Sequence, residues 1–351
     1  MIQRRKSKQI EIGNIKIGGD APISVQSMTN TDTRDVKSTL KQINNMAEQG
    51  CEIVRLAILN PDAADAIREI KKQSPLPLIA DIHFDYRLAI RCIENGIDAL
   101  RINPGNIGKE EHTKKVVSLA KTNNIPIRIG INGGSLEKEL EVLDIPLAEK
   151  MVKSAMRHIQ ILEDNNFDKI KISLKSSDVL TTIEAYRLIS EKVNYPLHLG
   201  VTEAGTYTGG IVKSAVGLGT LLAEGIGDTI RVSLTDNPVE EVKAGYMILK
   251  SLGLRQRGIN FVSCPTCGRT QIDLIGLAKT VEKRLEDFDK PLTIAVMGCA
   301  VNGPGEAKHA DYGIAGGIKE GYIFKKGEII KRLPEEKLVD EFINLIHMEN
   351  V

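Results

Sequence analysis

A short apolar run followed by a helical segment recurs eight times between residues 23 and 250, and this alternation constrains the fold more than any other feature. The eight runs are rich in β-branched residues and span 23–28, 53–58, 76–82, 99–103, 125–131, 169–174, 197–202 and 229–234. The segments between them carry apolar residues at helical spacing, as Leu40, Ile43 and Met46 do. Eight such units over roughly 250 residues predict an α/β fold, a closed (β/α)8 TIM barrel.

A doubly wound open sheet is the alternative for this part of the chain, although such sheets rarely need eight even strand–helix units. A glycine- and arginine-rich stretch, 253–258, ends the repeated alternation. Strand and helix patterns then resume over about 90 residues, which predicts a second, smaller α/β domain. We therefore expect a TIM barrel for substrate binding at 1–253 and a second domain at 259–351.

The composition excludes several classes of protein. Charged residues balance to a net charge of +1, and aromatic residues make up 4 %, which argues against a nucleic-acid-binding surface. No stretch approaches the ~18 apolar residues of a membrane span, and the basic N-terminus leads into no apolar signal region. The five cysteines do not form a secreted disulfide framework. We therefore expect a cytoplasmic protein with no nucleic-acid and no membrane partner.

Three cysteines and one glutamate mark the second domain. Cys264 and Cys267 form a Cys-x-x-Cys motif, and Cys299 and Glu306 flank a turn-forming Asn-Gly-Pro-Gly segment. Three thiolates from two loops are able to hold three corners of a cubane iron–sulfur cluster. A carboxylate on the fourth iron is a weak, displaceable ligand, so such a cluster is open to a substrate.

Other interpretations of these cysteines stay open at this point. His309 would complete a Cys3His set for a structural zinc ion. A thioredoxin-like dithiol is less favoured, because the motif does not begin a helix inside an N-terminal βαβ unit. Glu306 follows a strong turn signal, and a glutamate in such a place is commonly only solvated.

Polar side chains accumulate toward the C-terminal ends of the predicted barrel strands, where TIM barrels carry their active sites. Besides Asp81, Lys171 and Ser173, they are Arg55, His83, Arg101, Asn103, Arg128, Asn132, Lys175, Glu203, Arg231 and Ser233. A lone arginine on a strand is commonly a salt-bridge partner. Here, however, five cations lie on five different runs with few carboxylates beside them, which predicts a phosphate or diphosphate ligand.

Glu203 is the exception among these cations, and we expect it either to exchange a proton with the ligand or to hold an arginine in place. His83 is equally open between a phosphate contact and a structural hydrogen bond.

The chain resembles the bacterial 4-hydroxy-3-methylbut-2-enyl diphosphate synthases of the methylerythritol phosphate route to isoprenoids. The resemblance covers nearly the whole chain and rests on segments 25–31, 80–84, 100–106, 129–135, 201–205, 263–269 and 299–306. It implies a [4Fe–4S] cluster on Cys264, Cys267, Cys299 and Glu306. It also implies a reductive ring opening, with loss of water, of 2-C-methyl-D-erythritol 2,4-cyclodiphosphate.

Partners and roles follow from the same resemblance. It implies a homodimer in which the cluster domain of one chain caps the barrel of the other, with flavodoxin or ferredoxin as the electron donor. On this basis we expect Glu203 to handle a proton near the departing hydroxyl group. The residues expected to hold the diphosphate are Arg55, His83, Arg101, Asn103, Arg128, Asn132, Lys175, Arg231 and Ser233.

Two rival functions remain to be separated from this one. The first is a barrel enzyme for phosphorylated or pterin-like substrates that carries a structural zinc ion in its tail. The second is a non-enzymatic module whose cysteine domain binds nucleic acid. Metal content distinguishes the first rival, and salt-sensitive nucleic-acid binding distinguishes the second.

Overall fold

The computed structural model describes residues 2–270, 272–286, 288–299, 307–317 and 320–350. The chain divides into two compact units, Met1–Arg255 and Gln256–Val351. Glu306, one of the four expected cluster ligands, lies outside the described residues.

The first unit is built on parallel strands that follow one another around a single sheet. Within residues 2–255, all of them described, these eight strands are β3 (Ser24–Met28), β4 (Ile53–Ala57), β5 (Leu78–Asp81), β6 (Ala99–Ile102), β7 (Ile127–Asn132), β8 (Ile170–Lys175), β9 (His198–Leu199) and β10 (Thr229–Ile230). Strand β10 pairs with both β3 and β9, and a parallel bridge between Ile172 and Leu197 joins β8 to the segment before β9. The sheet therefore closes on itself, and the predicted TIM barrel is confirmed.

Helices alternate with these strands along the chain. They are α1 (Val36–Glu48), α2 (Pro61–Gln73), α3 (Tyr86–Glu94), α4 (Glu110–Thr122), α5 (Lys138–Glu141), α6 (Leu147–Asp164), α7 (Val179–Lys192), α8 (Tyr207–Ala223) and α9 (Pro238–Ser251), with a 3-10 turn at Pro104–Asn106. Side-chain caps begin several of them. For example, Asp35 accepts a hydrogen bond from the Ser38 N–H (3.0 Å) and Asn60 accepts one from the Ala63 N–H (2.9 Å).

Side chains of the barrel strands alternate between two environments. On β7, Ile127, Ile129 and Ile131 belong to the large apolar core that also contains the buried faces of the helices. Arg128, between them, is not part of that core and is also buried. Because successive side chains of a strand point to opposite faces, the residues between the core positions line the barrel interior, called the lumen below.

An N-terminal hairpin packs against the lumen-facing side chains at the beginnings of three barrel strands. Strands β1 (Ile10–Ile12) and β2 (Ile15–Ile17) pair in antiparallel register. Buried side chains of this hairpin form one apolar cluster with three side chains from the beginnings of β4, β5 and β6. The members of the cluster are Ile10, Ile12, Ile17, Ile53, Ile79 and Ala99. The hairpin thus forms an apolar floor at the N-terminal end of these strands.

The second unit is a mixed sheet with helices. Among its described residues the strands are β11 (Ile259–Ser263), β12 (Leu292–Met297), β13 (Tyr312–Gly316), β14 (Glu320–Lys325) and β15 (Glu328–Pro334), in that order across the sheet. The first three are parallel, and β14 and β15 are antiparallel to their neighbours. Helices α10 (Leu274–Arg284) and α11 (Glu335–Asn350) contribute Val281 and Phe342 to a core of its own.

No helix among the described residues is both long and apolar enough to cross a membrane.

Candidate active site

The barrel lumen is lined by charged and polar side chains above the apolar floor. Arg101, Arg128, Lys171 and Lys175 are all buried, and the carboxylate of Asp81 is buried with them. These are the positions at which the strand alternation turns a side chain away from the helices. Burial of so many cations is costly unless anions neutralise them, so their partners decide what the lumen is able to bind.

Asp81, at the end of β5, lies close to three expected substrate-binding residues, Arg55, Arg101 and His83. Its carboxylate lies 3.5 Å from Arg55, 3.2 Å from Arg101 and 3.8 Å from the His83 imidazole. Burial opposes ionisation of Asp81, but the charges of Arg55, Arg101 and Arg128 outweigh it and lower its pKa to about 2. Asp81 is therefore a permanent anion that holds two of the expected substrate-binding arginines.

His83 lies at the outer edge of this group and is half exposed. Its Nδ1 atom is 3.2 Å from an Arg101 nitrogen, which is a donor in every state, so Nδ1 accepts the hydrogen bond. Burial lowers the pKa of His83 despite the charge of Asp81, and Arg101 and Arg55 lower it further. The imidazole is thus a neutral ring in contact with the cationic site.

Arg101 and Arg128 occupy adjacent positions on β6 and β7. Arg101 donates a hydrogen bond to the Gly130 carbonyl (2.8 Å), and Asn103 accepts one from the Gly130 N–H (3.0 Å). A Cβ atom at position 130 would lie 2.4 Å from Arg101 Nε, so any larger residue would force this buried guanidinium out of its position across the strand. Arg128 Nε and Nη1 have no hydrogen-bond partner among the described residues.

Glu241, in the first turn of α9, is a buried carboxylate that the sequence analysis did not identify. It binds Arg231 through two hydrogen bonds of 3.0 and 2.9 Å and accepts another from Ser27 Oγ at 2.7 Å. The expectation that too few carboxylates accompany the cations was based on the strands alone, so it overlooked this helix. Glutamates in the first turn of a helix are usually exposed and are favoured there by the helix dipole. Glu241 therefore did not stand out in the sequence as a site residue.

Lys175, at the end of β8, contacts His198, another residue that the sequence analysis did not single out. The Lys175 Nζ to His198 Nε2 distance is 3.4 Å, and His198 Nδ1 lies 2.5 Å from Thr229 Oγ1. Burial, and then the neighbouring Arg128 and Arg231, lower the pKa of Lys175 well below its usual value. A Cβ atom at Gly200, just after β9, would lie 2.4 Å from this Nζ and 2.8 Å from the Arg231 carbonyl oxygen, so a larger residue there would displace the backbone.

Glu203 follows β9 in an unusual backbone conformation. Its φ is 53°, in the left-handed region that non-glycine residues seldom occupy. The side chain is exposed and has no hydrogen-bond partner among the described residues. Strain of this kind recurs at functional sites, and here it accompanies an exposed carboxylate that follows β9.

The remaining expected contacts, Asn132 and Ser233, are half-buried at the end of β7 and just after β10. The strand ends thus bring Arg55, His83 and Arg101 together around Asp81, with Arg128 and Lys175 on the adjoining strands.

In the second unit, two cysteine loops leave the same end of the sheet. Strands β11 and β12 are parallel, with Ser263 opposite Val296, so Cys264 and Cys299 follow strand ends that lie side by side. The Gly298 N–H donates a hydrogen bond to Cys264 Sγ at 3.2 Å, which brings the Cys264 sulfur next to the Cys299 loop. Cys267 is exposed, and backbone and side-chain hydrogen bonds from Arg269 lower its pKa.

These cysteines fit an iron–sulfur cluster in their chemistry. The lowered pKa of the Cys267 thiol favours the thiolate form that binds iron, and the hydrogen bond from the Gly298 N–H holds the Cys264 sulfur beside the residue that precedes Cys299. By contrast, burial raises the pKa of both Cys51 and Cys92 to about 12, as expected for structural thiols. In the ranges that the structure describes, no three His, Cys, Asp or Glu side chains form a metal-binding group.

Family models match nearly the whole chain. The model described as GcpE TIM-barrel domain matches residues 7–246, and that described as GcpE protein C-terminal domain matches residues 260–348. Two similar curated proteins come from Geobacter sulfurreducens and Clostridium perfringens. The first is 60 % identical over 341 residues, 97 % of either chain, and the second is 60 % identical over 346 residues, 98 % of this chain and 99 % of the other. Both are named 4-hydroxy-3-methylbut-2-en-1-yl diphosphate synthase (flavodoxin).

Solved structures resemble the chain in fold alone. A dihydropteroate synthase from Coxiella burnetii aligns with a TM-score of 0.51 at 14 % identity, covering 71 % of this chain and 100 % of that one. A type I 3-dehydroquinate dehydratase from Clostridium difficile aligns with a TM-score of 0.51 at 13 % identity, covering 70 % of this chain and 98 % of that one.

The replacement Asp81→Asn tests whether this carboxylate holds the cations. Because its folded pKa of about 2 lies below its unfolded value of 3.8, its ionisation stabilises the fold fully above about pH 4, and this contribution is lost as the pH falls toward 2. We expect the variant to lose about 2 to 3 kcal/mol of unfolding free energy at neutral pH, and less at acidic pH. Urea unfolding at a series of pH values measures this.

Asp32→Asn is the matched control, because burial distinguishes the two carboxylates. The Asp32 pKa is also lowered to about 2, chiefly by hydrogen bonds from Arg34, but the Asp32 side chain is exposed to solvent. We expect no measurable loss of stability from this exposed pair. Equal stability of Asp81→Asn and the wild type at neutral pH would contradict the role of Asp81.

Proposed function

The chain belongs to the GcpE family of 4-hydroxy-3-methylbut-2-en-1-yl diphosphate synthases, and we propose how its own residues carry out the family's reaction. The protein is an oxidoreductase of isoprenoid biosynthesis that converts 2-C-methyl-D-erythritol 2,4-cyclodiphosphate to 4-hydroxy-3-methylbut-2-enyl diphosphate. The observation that carries this conclusion is 60 % identity to proteins of that name over almost the entire chain.

The change from substrate to product defines what the site must do. The bond from carbon 2 to its phosphate oxygen breaks, the hydroxyl group of carbon 3 leaves as water, and a double bond forms between these carbons. Two electrons and one proton balance this change. Ring opening also leaves a new terminal oxygen on the diphosphate, so the phosphate groups gain one negative charge as the reaction proceeds.

We propose that the lumen cations stabilise this developing charge. The side chains proposed to contact the diphosphate are Arg55, His83, Arg101, Asn103, Arg128, Asn132, Lys175, Arg231 and Ser233. Asp81 and Glu241 neutralise only part of their charge, and the unpartnered Arg128 nitrogens support a ligand that accepts hydrogen bonds. Because the leaving diphosphate is more negative than the bound ring, these cations stabilise the transition state more than the substrate.

Glu203 is the proposed proton donor. In its protonated form it gives its proton to the departing carbon-3 hydroxyl group, which leaves as water. Its exposed carboxylate, free of other partners among the described residues, supports this role. The fixed left-handed backbone at this position would aim the side chain from the end of β9.

The second unit is proposed to hold a [4Fe–4S] cluster through Cys264, Cys267, Cys299 and Glu306. When bound there, the cluster supplies the two electrons as single-electron steps. The lowered pKa of Cys267 and the hydrogen bond that holds the Cys264 sulfur beside Gly298 support the assignment. The printed names of the relatives support flavodoxin as the electron donor, with ferredoxin as the alternative. We propose the cytoplasm as the location, since its reducing conditions preserve such clusters.

We further propose a homodimer in which the second unit of one chain caps the barrel of its partner. Large apolar side chains are exposed in the segments that follow the barrel strands, where a capping surface would cover them. Leu59 and Phe84, after β4 and β5, are 79 % and 75 % exposed, and Val142 and Leu180, after β7 and β8, are 82 % and 75 % exposed. Apolar groups placed around one mouth are typical of an interface.

Glu203→Gln tests the proton donor. The amide keeps the shape of the side chain but donates no proton, so we expect turnover to fall by about a hundredfold or more while iron content and substrate affinity persist. Anaerobic turnover with a flavodoxin donor and calorimetric substrate binding measure these. The charge-matched control is Glu191→Gln, which changes an exposed glutamate of α7 and should retain full turnover. Wild-type rates in Glu203→Gln would refute the role.

Metal analysis tests the cluster. We expect protein purified without oxygen to contain about four iron atoms and four acid-labile sulfides per chain. Cys264→Ala should lose them, whereas Cys51→Ala should retain them because Cys51 is a buried structural thiol. Stoichiometric zinc without iron would favour the rival barrel enzyme with a structural zinc site.

Mixing two inactive variants tests the capped dimer. Heterodimers of Glu203→Gln and Cys264→Ala contain one complete site if each site combines the barrel of one chain with the cysteines of the other. After exchange of subunits, we expect recovery of about a quarter of the wild-type rate. Persistent inactivity of subunit-exchanged mixtures would mean that both parts of a site come from the same chain.

A further inference from the structure

Lys171 is a buried lysine that the sequence analysis counted among the polar strand residues, but to which neither it nor the proposed reaction gives a role. It lies on β8 between Ile170 and Ile172, which belong to the helix-facing core, so its side chain turns into the lumen. Only 1 % of the residue is exposed. Its Nζ has no hydrogen-bond partner among the described residues.

The strand register gives Lys171 two cationic neighbours. Arg101 on β6 pairs with Arg128 on β7, and Arg128 pairs with Lys171 on β8, so the three form one row across adjacent strands. Neighbouring strands lie about 4.8 Å apart, so positive charges on Arg101, Arg128 and Lys171 would repel one another strongly in a medium of low polarity. Asp81, opposite Arg101 on β5, is the carboxylate at the end of this row.

The other charged groups around Lys171 do not neutralise it. Arg128 and Arg55 repel its ammonium form, and the buried His198 is also close enough to interact with it. Asp228 attracts it, but this carboxylate already accepts hydrogen bonds from Arg4 (3.2 Å), Ser7 Oγ (2.7 Å) and the Leu197 N–H (2.8 Å). Burial, and then Arg128 and Arg55, lower the pKa of Lys171 well below its usual value.

We propose that Lys171 is a further diphosphate-binding residue, and that it takes up a proton when the anion binds beside Arg128. Without the anion, the neutral amine avoids repulsion from the row. A diphosphate adds negative charge and hydrogen-bond acceptors, which favour the ammonium form. The inference rests on the proposed function for the identity of the anion.

This coupling has a definite sign. Anion binding raises the affinity of the amine for protons, so substrate binding draws protons from the buffer. Substrate affinity must then weaken as the pH rises above the pKa of Lys171 in the ligand-free protein, because protonating this lysine becomes harder. Lys175 is subject to the same linkage, so removing Lys171 should reduce the proton uptake without abolishing it.

The experiment compares wild type, Lys171→Met and Lys153→Met as oxidised, cluster-loaded protein without reductant. Lys153 is an exposed residue of α6, so its variant makes the same charge change outside the lumen. Titration calorimetry with the cyclic diphosphate, and separately with inorganic diphosphate, in two buffers of different ionisation enthalpy gives affinity and proton uptake. We expect Lys171→Met to bind about tenfold or more weakly and to take up fewer protons, with Lys153→Met unchanged.

Urea unfolding separates a binding role from a structural one. Removing an unpaired buried amine in favour of an apolar side chain should raise the unfolding midpoint of the ligand-free Lys171→Met variant. If Lys171 were only a structural residue, the midpoint would fall and proton uptake would be unchanged. Unaltered proton uptake in Lys171→Met overturns the inference.

Turnover separates this inference from the proposed function. A wild-type protein that fails to reduce the cyclic diphosphate contradicts the proposed function, while inorganic diphosphate still tests Lys171. A wild-type protein that turns over normally, beside a Lys171→Met variant of wild-type affinity and proton uptake, contradicts the inference alone.

Discussion

Excess positive charge in a closed, buried space is the constraint on which the rest of the barrel depends. Arginine and lysine side chains on neighbouring strands are buried in the lumen, and Asp81 and Glu241 offset only part of their charge. A stable protein would be easier to build with apolar side chains at these positions. Their retention makes sense if the lumen receives a more strongly charged guest, as a diphosphate is, and the remaining architecture holds the cations ready for it.

The repeated strand–helix pattern made most of the fold predictable. Each of the eight predicted runs overlaps a barrel strand, because alternating lumen and helix-facing positions are encoded locally. The last two strands are only two residues long, His198–Leu199 and Thr229–Ile230, whereas the sequence predicted six residues for each. Regular strand pairing ends just before Gly200 and Arg231. The Lys175 side chain passes over Gly200, and the Arg231 side chain turns toward Glu241.

The sequence predicted the site residues that interrupt apolar strands with a charge. It did not predict residues such as Glu241 and His198, which reach the site only through the folded barrel. Arg55, Arg101 and Lys175 were found because a charge inside an apolar run is conspicuous. Glu241 was not found, since a glutamate at the start of a helix is ordinary in any sequence, and only the closed barrel brings it to Arg231. His198 begins a strand next to a proline-containing turn, so nothing local distinguishes it from a core histidine. The cysteine motifs were visible, but their convergence depends on the pairing of β11 with β12.

The apolar hairpin covers the N-terminal side of the lumen beneath β4, β5 and β6. Ile12 and Ile17 share one buried apolar cluster with Ile53, and a charged molecule that crossed it would lose its hydration without gaining a polar partner. We therefore expect substrate and product to use the opposite end of these strands, where the polar side chains lie, so that a bound product delays the next turnover until it leaves. Inhibition by the more highly charged product follows from this arrangement.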